Sequence, residues 1–285
     1  MDDIISITIN LDSRPGFMEE TSSNDSGKLI SGTRSLDYFI DGVLNKIKFF
    51  DGHEKEVTVV VDVHEPLPDA TEKWLLDMQK NGTISNLVFN KHIETYLEMS
   101  YCPKWHDLNY LNTLILAKGK YLVHFDSDMV AFINDRSVVN EWLQWLDEGK
   151  YDYISYPSNC SPNPCFDRDF DYAWASTRFF ICKREIIDYT EIMKCLMSSE
   201  YLYGKYGDRK RKCPWLEHVL ALIGGPAKVF YPPVELNRYS IFSWSRYHTG
   251  ILKKLTEMPY EKVIAYVSGC GGISFPCDVA AQRIK

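Results

Sequence analysis

The sequence predicts an α/β protein built on a mostly parallel, doubly wound (Rossmann-like) sheet with a mixed C-terminal region. The first half of the chain alternates β-rich segments with amphipathic ones, a pattern that gives right-handed crossovers between parallel strands. The β-rich segments are nearly continuously apolar, as in strands covered by helices on both faces. Neither an internal repeat nor a clear linker interrupts the chain, which favours one continuous domain.

Four segments of the first half have the composition of buried strands. The second is almost entirely β-branched, and acidic residues follow the fourth at once. Their predicted bounds are Ile4–Leu11, Val57–Val63, Ile84–Phe89 and Tyr121–Phe125. Between the first two, apolar residues from Leu36 to Phe50 recur at spacings of three and four, which predicts a helix with one apolar face. A second helix is expected from Asp107 to Ala117, ending near Gly119.

The second half is more irregular and predicts a mixed region. We expect strands and helices in the order Ser137–Glu148 (helix), Tyr151–Tyr156 (strand), Trp174–Cys182 (strand), Arg184–Ser199 (helix) and Trp215–Ile223 (helix). A basic segment, Lys205–Lys212, is expected to be a solvated loop because Gly204 and Gly207 break helices. The predicted domain covers residues 1–255, with a donor half of about 1–130 and an acceptor half of about 131–255; residues 256–285 form an extension packed on it.

Composition and charge exclude several classes of protein. The chain has 285 residues and a net charge of −7, which argues against a nucleic-acid-binding surface. It has no apolar run near the ~20 residues of a membrane span, and Met1–Asp3 has the wrong charge for the start of a signal peptide. None of the eight cysteines forms a C-x-x-C pair, so free thiols in a cytoplasmic protein are expected.

Polar residues follow each of the four predicted strands. In a doubly wound sheet, ligands bind beyond the carboxyl ends of the strands, so these are the positions at which a site is expected. They are Asp12, Ser13, Arg14, Asp62, His64, Lys91, His92, Asp126, Ser127 and Asp128.

The most informative of these segments is Asp126-Ser127-Asp128. The chain leaves an apolar strand just as two carboxylates arrive, and a turn there aims both toward one point. Hard oxygen ligands suit Mn²⁺ or Mg²⁺, whose remaining coordination positions a diphosphate can fill. Such a cation would neutralise the charge that develops on a departing phosphate.

The segment from Ala117 to Asp128 (AKGKYLVHFDSD) resembles the AxGxY–strand–DxD segment of GT-A glycosyltransferases, especially those of family two. The resemblance covers about residues 4–130 in the order and spacing of elements. It implies the GT-A fold and a nucleotide-diphosphate sugar as donor, with a metal bridging the two phosphates. UDP-sugars are favoured, and the acceptor would be a glycan, a lipid-linked glycan or a protein.

The resemblance also implies roles for individual residues of the donor half. Asp128 would ligate the metal, and Asp126 would bind the metal or the ribose. Asp62 would contact the nucleobase, and the turn from Asp12 to Pro15, which includes Arg14, would line the nucleotide pocket. Ser127 lies between the two motif aspartates and is assigned to the donor as well.

In the acceptor half, Glu217 matches the acidic position of the family's xED motif, whereas His218 replaces the aspartate. An inverting transferase needs a base for the acceptor hydroxyl, and either residue can serve. The resemblance further implies a late metal ligand, for which His248 is the candidate. Trp174 and Trp215 are assigned to acceptor stacking. The basic segment Lys205–Lys212 is compatible with peripheral contact at a membrane surface.

Two alternatives compete with this interpretation. Asp126-Ser127-Asp128 followed by Met129 and Val130 loosely fits the nucleophile motif of haloacid-dehalogenase-type phosphatases, which normally lies on the first strand. The other alternative is a non-catalytic sugar-binding domain that keeps the same fold, although the intact Asp126 and Asp128 argue against it. The altered pair Glu217-His218 is the feature that favours this second alternative.

Overall fold

The computed structural model describes residues 3–12, 36–62, 67–90, 105–126, 129–155, 179–206, 219–220, 223, 229–230 and 238–243. Nine strands and six helices lie within these ranges. The strands are β1 (Ile5–Asp12), β2 (Lys55–Asp62), β3 (Asn86–Asn90), β4 (Tyr121–Phe125), β5 (Met129–Ile133), β6 (Tyr153–Ser155), β7 (Phe179–Lys183), β8 (Val229–Phe230) and β9 (Tyr239–Ser243). The helices are α1 (Leu36–Phe49), α2 (Asp69–Lys80), α3 (Trp105–Leu116), α4 (Ser137–Asp147), α5 (Tyr189–Met197) and α6 (Ser199–Tyr206).

Seven of these strands form one sheet in the order β3-β2-β1-β4-β7-β6-β8. Strands β1 to β4 are parallel neighbours, β7 pairs antiparallel with both β4 and β6, and β8 runs parallel to β6. Strands β5 and β9 form a separate antiparallel pair. The predicted fold class, a mostly parallel α/β sheet with a mixed second half, is therefore confirmed.

Two hydrophobic cores cover the two faces of the large sheet. On one face, Ile5, Ile7 and Ile9 of β1 pack with apolar residues of α1 and α4. On the other face, apolar residues of β4 and β7 pack with α3, α5 and α6. Strand β4 is buried along its whole length, which explains its continuously apolar sequence.

The strand bounds of the first half agree with the sequence to within two residues, and Tyr121–Phe125 agrees at both ends. Two elements of this half were missed, and no strand was predicted in the second half where β8 and β9 lie. Helix α2 carries only two fully buried residues, Thr71 and Leu75, so its apolar signal is weak. Strand β5 follows the aspartate turn directly and is held against α1 by the buried side chain of Asn45, which accepts a hydrogen bond from the backbone N–H of Ala131 at 2.8 Å.

The single helix expected over Arg184–Ser199 is wrong. A short 3₁₀ turn is followed by α5 and then α6. Asp188 caps α5 by accepting a hydrogen bond from the backbone N–H of Glu191 at 3.0 Å, and the Ser198 hydroxyl oxygen accepts one from Tyr201 N–H at 3.1 Å. These two caps start separate helices. The expected loop over Lys205–Lys212 is also wrong at its start, since Gly204 and Lys205 lie within α6.

Other expectations fall wholly or partly outside the described residues. Residues 219, 220 and 223 are helical, in line with the expected Trp215–Ile223 helix, whose other residues are not described. The remainder of the basic segment and residues 256–285 are likewise outside.

Cys182 and Cys195 are free and buried, as expected of thiols. The described helices include none with the length and apolar character needed to cross a membrane.

Candidate functional site

The carboxyl ends of the parallel strands bring acidic residues together at one edge of the sheet. Asp12, the last residue of β1, is the register partner of Asp62, the last residue of β2. Asp62 is in turn the partner of Asn90 at the end of β3. Paired residues on neighbouring strands lie about 5 Å apart. The backbone therefore places two aspartates and an asparagine side by side. The sequence predicted the two aspartates at these strand ends, but not Asn90.

Asp126 reaches the same edge from the other side of β1. The last register pair between β1 and β4 joins Ile9 to Phe125, so Asn10 and Asp126 are the residues that follow it. Along the strand direction, Asp126 is therefore level with Asn10 and lies about two residues, or roughly 7 Å, before Asp12. Its side chain is half-buried. The backbone N–H of Met129 donates to the Asp126 carbonyl oxygen at 3.2 Å, which closes the connection from β4 to β5.

Of the predicted site residues, the structure describes the side chain of Asp126 and the backbone of Asp12 and Asp62. The remaining ones lie outside the described residues: Arg14, Ser127, Asp128, Trp174, Trp215, Glu217, His218 and His248. The polar residues His64, Lys91 and His92, expected at strand ends, are also outside. Within the described part, no three Asp, Glu, His or Cys side chains lie close enough to hold a metal ion. The predicted metal set extends beyond that part, to Asp128 and His248.

A row of buried polar side chains leads along β1 toward this edge. Ser6, Thr8 and Asn10 alternate with isoleucines and are 1%, 0% and 7% exposed. The Thr8 hydroxyl donates to the carbonyl oxygen of Val123 at 3.0 Å, and its oxygen lies 2.8 Å from Nδ1 of His124. A hydroxyl has one proton, so with this arrangement His124 donates through Nδ1 to Thr8. The face that carries this row is polar although it is buried.

His124 precedes Asp126 by two residues and is completely buried. Its ring packs between Tyr110 of α3 and Phe180 of β7, with centroid distances of 4.3 and 5.7 Å. Burial, and then the positive charge of Lys46, hold the pKa of His124 well below its ordinary value. The imidazole is therefore neutral at physiological pH. Lys46 is itself buried in α1, where its ammonium donates to the Gly42 carbonyl oxygen at 3.1 Å.

Sequence reasoning did not select Asn10, His124 or Lys46. The signal for Asn10 was present in the strict alternation ISITINLD, because every second residue of β1 is polar. A polar face in a strand normally predicts exposure to solvent, yet here α3 covers it. The signal for Lys46 was absent, since a lysine on a helix is usually solvated.

A cavity of about 460 Å³ lies at the opposite edge of the sheet. It is lined by residues near the amino ends of β1 and β4 and by one side of α4, including Asp3, Tyr121 and Asp147. None of the predicted site residues is among its walls. Ligands of doubly wound sheets bind at the carboxyl edge, so we place the candidate site there rather than in this cavity.

No protein-family model and no curated protein sequence matches this chain. Several solved structures resemble it in part, at TM-scores below 0.5. The mannosyltransferase PcManGT from Pyrobaculum calidifontis, in complex with GDP-Man and Mn²⁺, is 14% identical over 81% of this chain and 55% of its own, with a TM-score of 0.43. The galactosyltransferase LgtC, in complex with donor and acceptor sugar analogues, is 12% identical over 79% and 72%, with a TM-score of 0.43.

The inositol-1-phosphate CTP transferase from T. maritima is 15% identical over 87% of this chain and 93% of its own, with a TM-score of 0.45. The chain spans about half the length of the mannosyltransferase. These partial likenesses specify no reaction for this chain.

Proposed function

We propose that the chain is a metal-dependent glycosyltransferase that moves a sugar from a nucleotide-diphosphate sugar to a hydroxyl acceptor. The observation that supports it is the position of Asp12, Asp62 and Asp126 at or near the carboxyl ends of three adjacent parallel strands. A cluster of acids at that edge suits an anionic donor only if a cation lies between them. The DxD segment supplies ligands of the right kind for such a cation.

The residues present fit Mn²⁺ or Mg²⁺. Strand β4 delivers the half-buried Asp126 at its end, and carboxylate oxygens are the preferred ligands of both ions. Asp126 and Asp128 would hold the cation, with His248 as a further ligand. When bound, the cation would neutralise charge on the leaving diphosphate. Asp12, Arg14, Asp62 and Ser127 would contact the donor.

The chain's own groups would carry the acceptor chemistry. The acceptor hydroxyl oxygen attacks the anomeric carbon while the bond from that carbon to the diphosphate oxygen breaks. The hydroxyl proton passes to the carboxylate of Glu217 or to the imidazole of His218, and the configuration at the anomeric carbon inverts. Trp174 and Trp215 would hold the acceptor by stacking on its sugar rings. We place this hexosyl transfer in the cytoplasm, with UDP-sugars as favoured donors.

A screen of sugar nucleotides with Mn²⁺ tests the proposal, with mass spectrometry to detect the released nucleoside diphosphate and the glycosylated product. We expect turnover of one donor class by the wild type and its loss in Asp128→Ala. Glu217→Gln would retain donor binding in calorimetry while turnover collapses, and His218→Gln distinguishes the two candidate bases. Asp69→Ala, at an exposed position in α2, is the matched control.

The alternatives predict different results. Hydrolysis of simple phosphate monoesters in place of sugar transfer would identify a phosphatase. Donor binding without turnover in the wild type, under all acceptor conditions, would identify a non-catalytic sugar-binding domain. Turnover unchanged by Asp128→Ala would contradict the metal-dependent scheme.

A further inference from the structure

The amide side chain of Asn10 is buried, and the residue is only 7% exposed. In the part of the chain that the structure describes, neither Nδ2 nor Oδ1 has a hydrogen-bond partner. Folding has removed this amide from water without replacing the lost hydrogen bonds, which is unfavourable. Native proteins keep few such groups, and each one calls for an explanation, such as a bound water, ion or ligand.

The position of Asn10 in β1 distinguishes it from its polar neighbours. On the same face, the hydroxyls of Ser6 and Thr8 have partners, in Glu56 and in the carbonyl oxygen of Val123. Asn10 is the next residue of this row toward the carboxyl edge. The unpaired amide is therefore the member of the row closest to the candidate site.

The strand register places Asn10 next to the candidate site. Its register partner on β2 is Val60, two residues before Asp62. On the other side, Asn10 follows the last pair between β1 and β4, as Asp126 does on β4. Asn10 thus lies between the strand that carries Asp62 and the strand that carries Asp126.

We propose that the Asn10 amide binds the nucleoside part of the donor, an inference that rests on the proposed function. An amide is uncharged and both donates and accepts, as do the edge of a nucleobase and the hydroxyls of a ribose. Phosphate oxygens only accept and would be held by the cation at Asp126. The sheet order places β1 and β2 on one side of β4, and the strands of the acceptor half on the other. The sugar would therefore lie toward β7 and the nucleoside over β1.

Asn10→Val tests this assignment because valine has a similar size and favours strands. Without ligand, we expect the variant to be at least as stable as the wild type, since it removes an unpaired polar group. In calorimetry with Mn²⁺ present, the Kd of Asn10→Val for UDP or GDP should be about tenfold higher than that of the wild type. A change of this size corresponds to the loss of one or two hydrogen bonds. The thermal shift produced by Mn²⁺ alone should be retained.

Thr58→Val is the matched control. Thr58 is buried on β2 and accepts a hydrogen bond from Asn86 Nδ2 at 3.1 Å. This variant should be less stable than the wild type yet bind the nucleotide within about twofold of its affinity, because its hydroxyl already has a protein partner.

The outcomes separate this inference from the proposed function. Nucleotide affinity unchanged in Asn10→Val would overturn the inference and assign the amide to a buried water, leaving the function intact. Loss of stability like that of Thr58→Val would also overturn it. A wild type that binds no nucleoside diphosphate would overturn both. A further titration compares UDP with 2′-deoxyuridine diphosphate and locates the contact that Asn10 makes. If only the wild type, and not Asn10→Val, binds the 2′-deoxy compound more weakly than UDP, the contact is to the ribose. If the wild type binds both compounds equally, the contact is to the base.

Discussion

The carboxylate of Glu56 in β2 accepts a hydrogen bond from the backbone N–H of Gly119 at 3.0 Å, just before β4 begins. The same oxygen accepts from the backbone N–H of Lys118 and from the hydroxyl of Ser6 in β1. Three strands are thereby joined at the amino edge of the sheet. Their register at this edge fixes which residues meet at the other edge, where Asp62, Asp12 and Asp126 lie.

Gly119 has no room for a side chain. A Cβ there would overlap the carbonyl oxygen of Ile4 and lie 2.8 Å from Oγ of Ser6. We expect Gly119→Ala to lower the free energy of unfolding by about 2–4 kcal/mol, since backbone would have to shift. Chemical denaturation followed by circular dichroism measures the change.

Gly204→Ala is the control for that substitution. Gly204 lies exposed in α6, and nothing is within 4 Å of the added Cβ. Alanine should stabilise the protein there by up to about 1 kcal/mol. Equal effects at the two glycines would show that close approach at Gly119 is not what constrains it.

The acceptor role of Glu56 gives a second prediction. Glu56→Ala leaves backbone N–H groups of Lys118 and Gly119 without this acceptor and should cost about 1–3 kcal/mol of unfolding free energy. Glu56→Gln keeps one acceptor oxygen and should cost less. Glu54→Ala, two residues earlier and exposed, should be nearly neutral. If Glu56→Ala is as neutral as Glu54→Ala in urea titrations, the carboxylate does not hold the three strands together.

A third prediction concerns the pH dependence of the α5–α6 pair. Hydrogen bonds from Lys205 at 2.6 Å and from the hydroxyls of Tyr206 and Tyr201 hold the pKa of Glu191 below its ordinary value of 4.5. The carboxylate thus contributes stability in full above pH 4.5. That contribution is lost as the pH falls below 4.5 through the native pKa.

Glu191→Gln should therefore be less stable than the wild type at pH 7, and the difference should shrink below pH 4.5. Thermal unfolding monitored from pH 7 to pH 3 gives both curves. Glu200→Gln, exposed in the first turn of α6, should show a small difference with no such change. A wild-type advantage over Glu191→Gln that stays constant down to pH 3 would contradict the paired carboxylate.

Local sequence determined the strands of the first half well, because buried parallel strands are short apolar runs with clear ends. It also placed Asp12, Asp62 and Asp126 at strand ends, which follows from the carboxyl-end rule without knowledge of the strand order. The contact of Glu56 with Gly119 could not be found this way, because it joins residues 63 positions apart. Likewise, the burial of Asn10 depends on a helix that packs over β1 from elsewhere in the chain.

The second half was predicted less well because its signals compete. The apolar pattern from Arg184 to Ser199 is continuous and predicted one helix. Asp188 and Ser198 are helix caps within this pattern, and they determine where α5 and α6 begin. Gly204 suggested a helix end, but an exposed glycine costs a helix only about 1 kcal/mol. Lys205, the residue after Gly204, forms an ion pair with Glu191 of α5, which connects this end of α6 to α5.

Calorimetric titration of a nucleoside diphosphate with Mn²⁺ into the wild type and into Asp126→Asn tests the central claim, that the carboxyl edge binds a metal–nucleotide complex. Asparagine keeps the size of the side chain and removes its charge, and Asp69→Asn serves as an exposed control. We predict metal-dependent binding by the wild type and the control, and an affinity about ten- to a hundredfold weaker for Asp126→Asn. Equal Kd values for Asp126→Asn and the wild type would contradict the account.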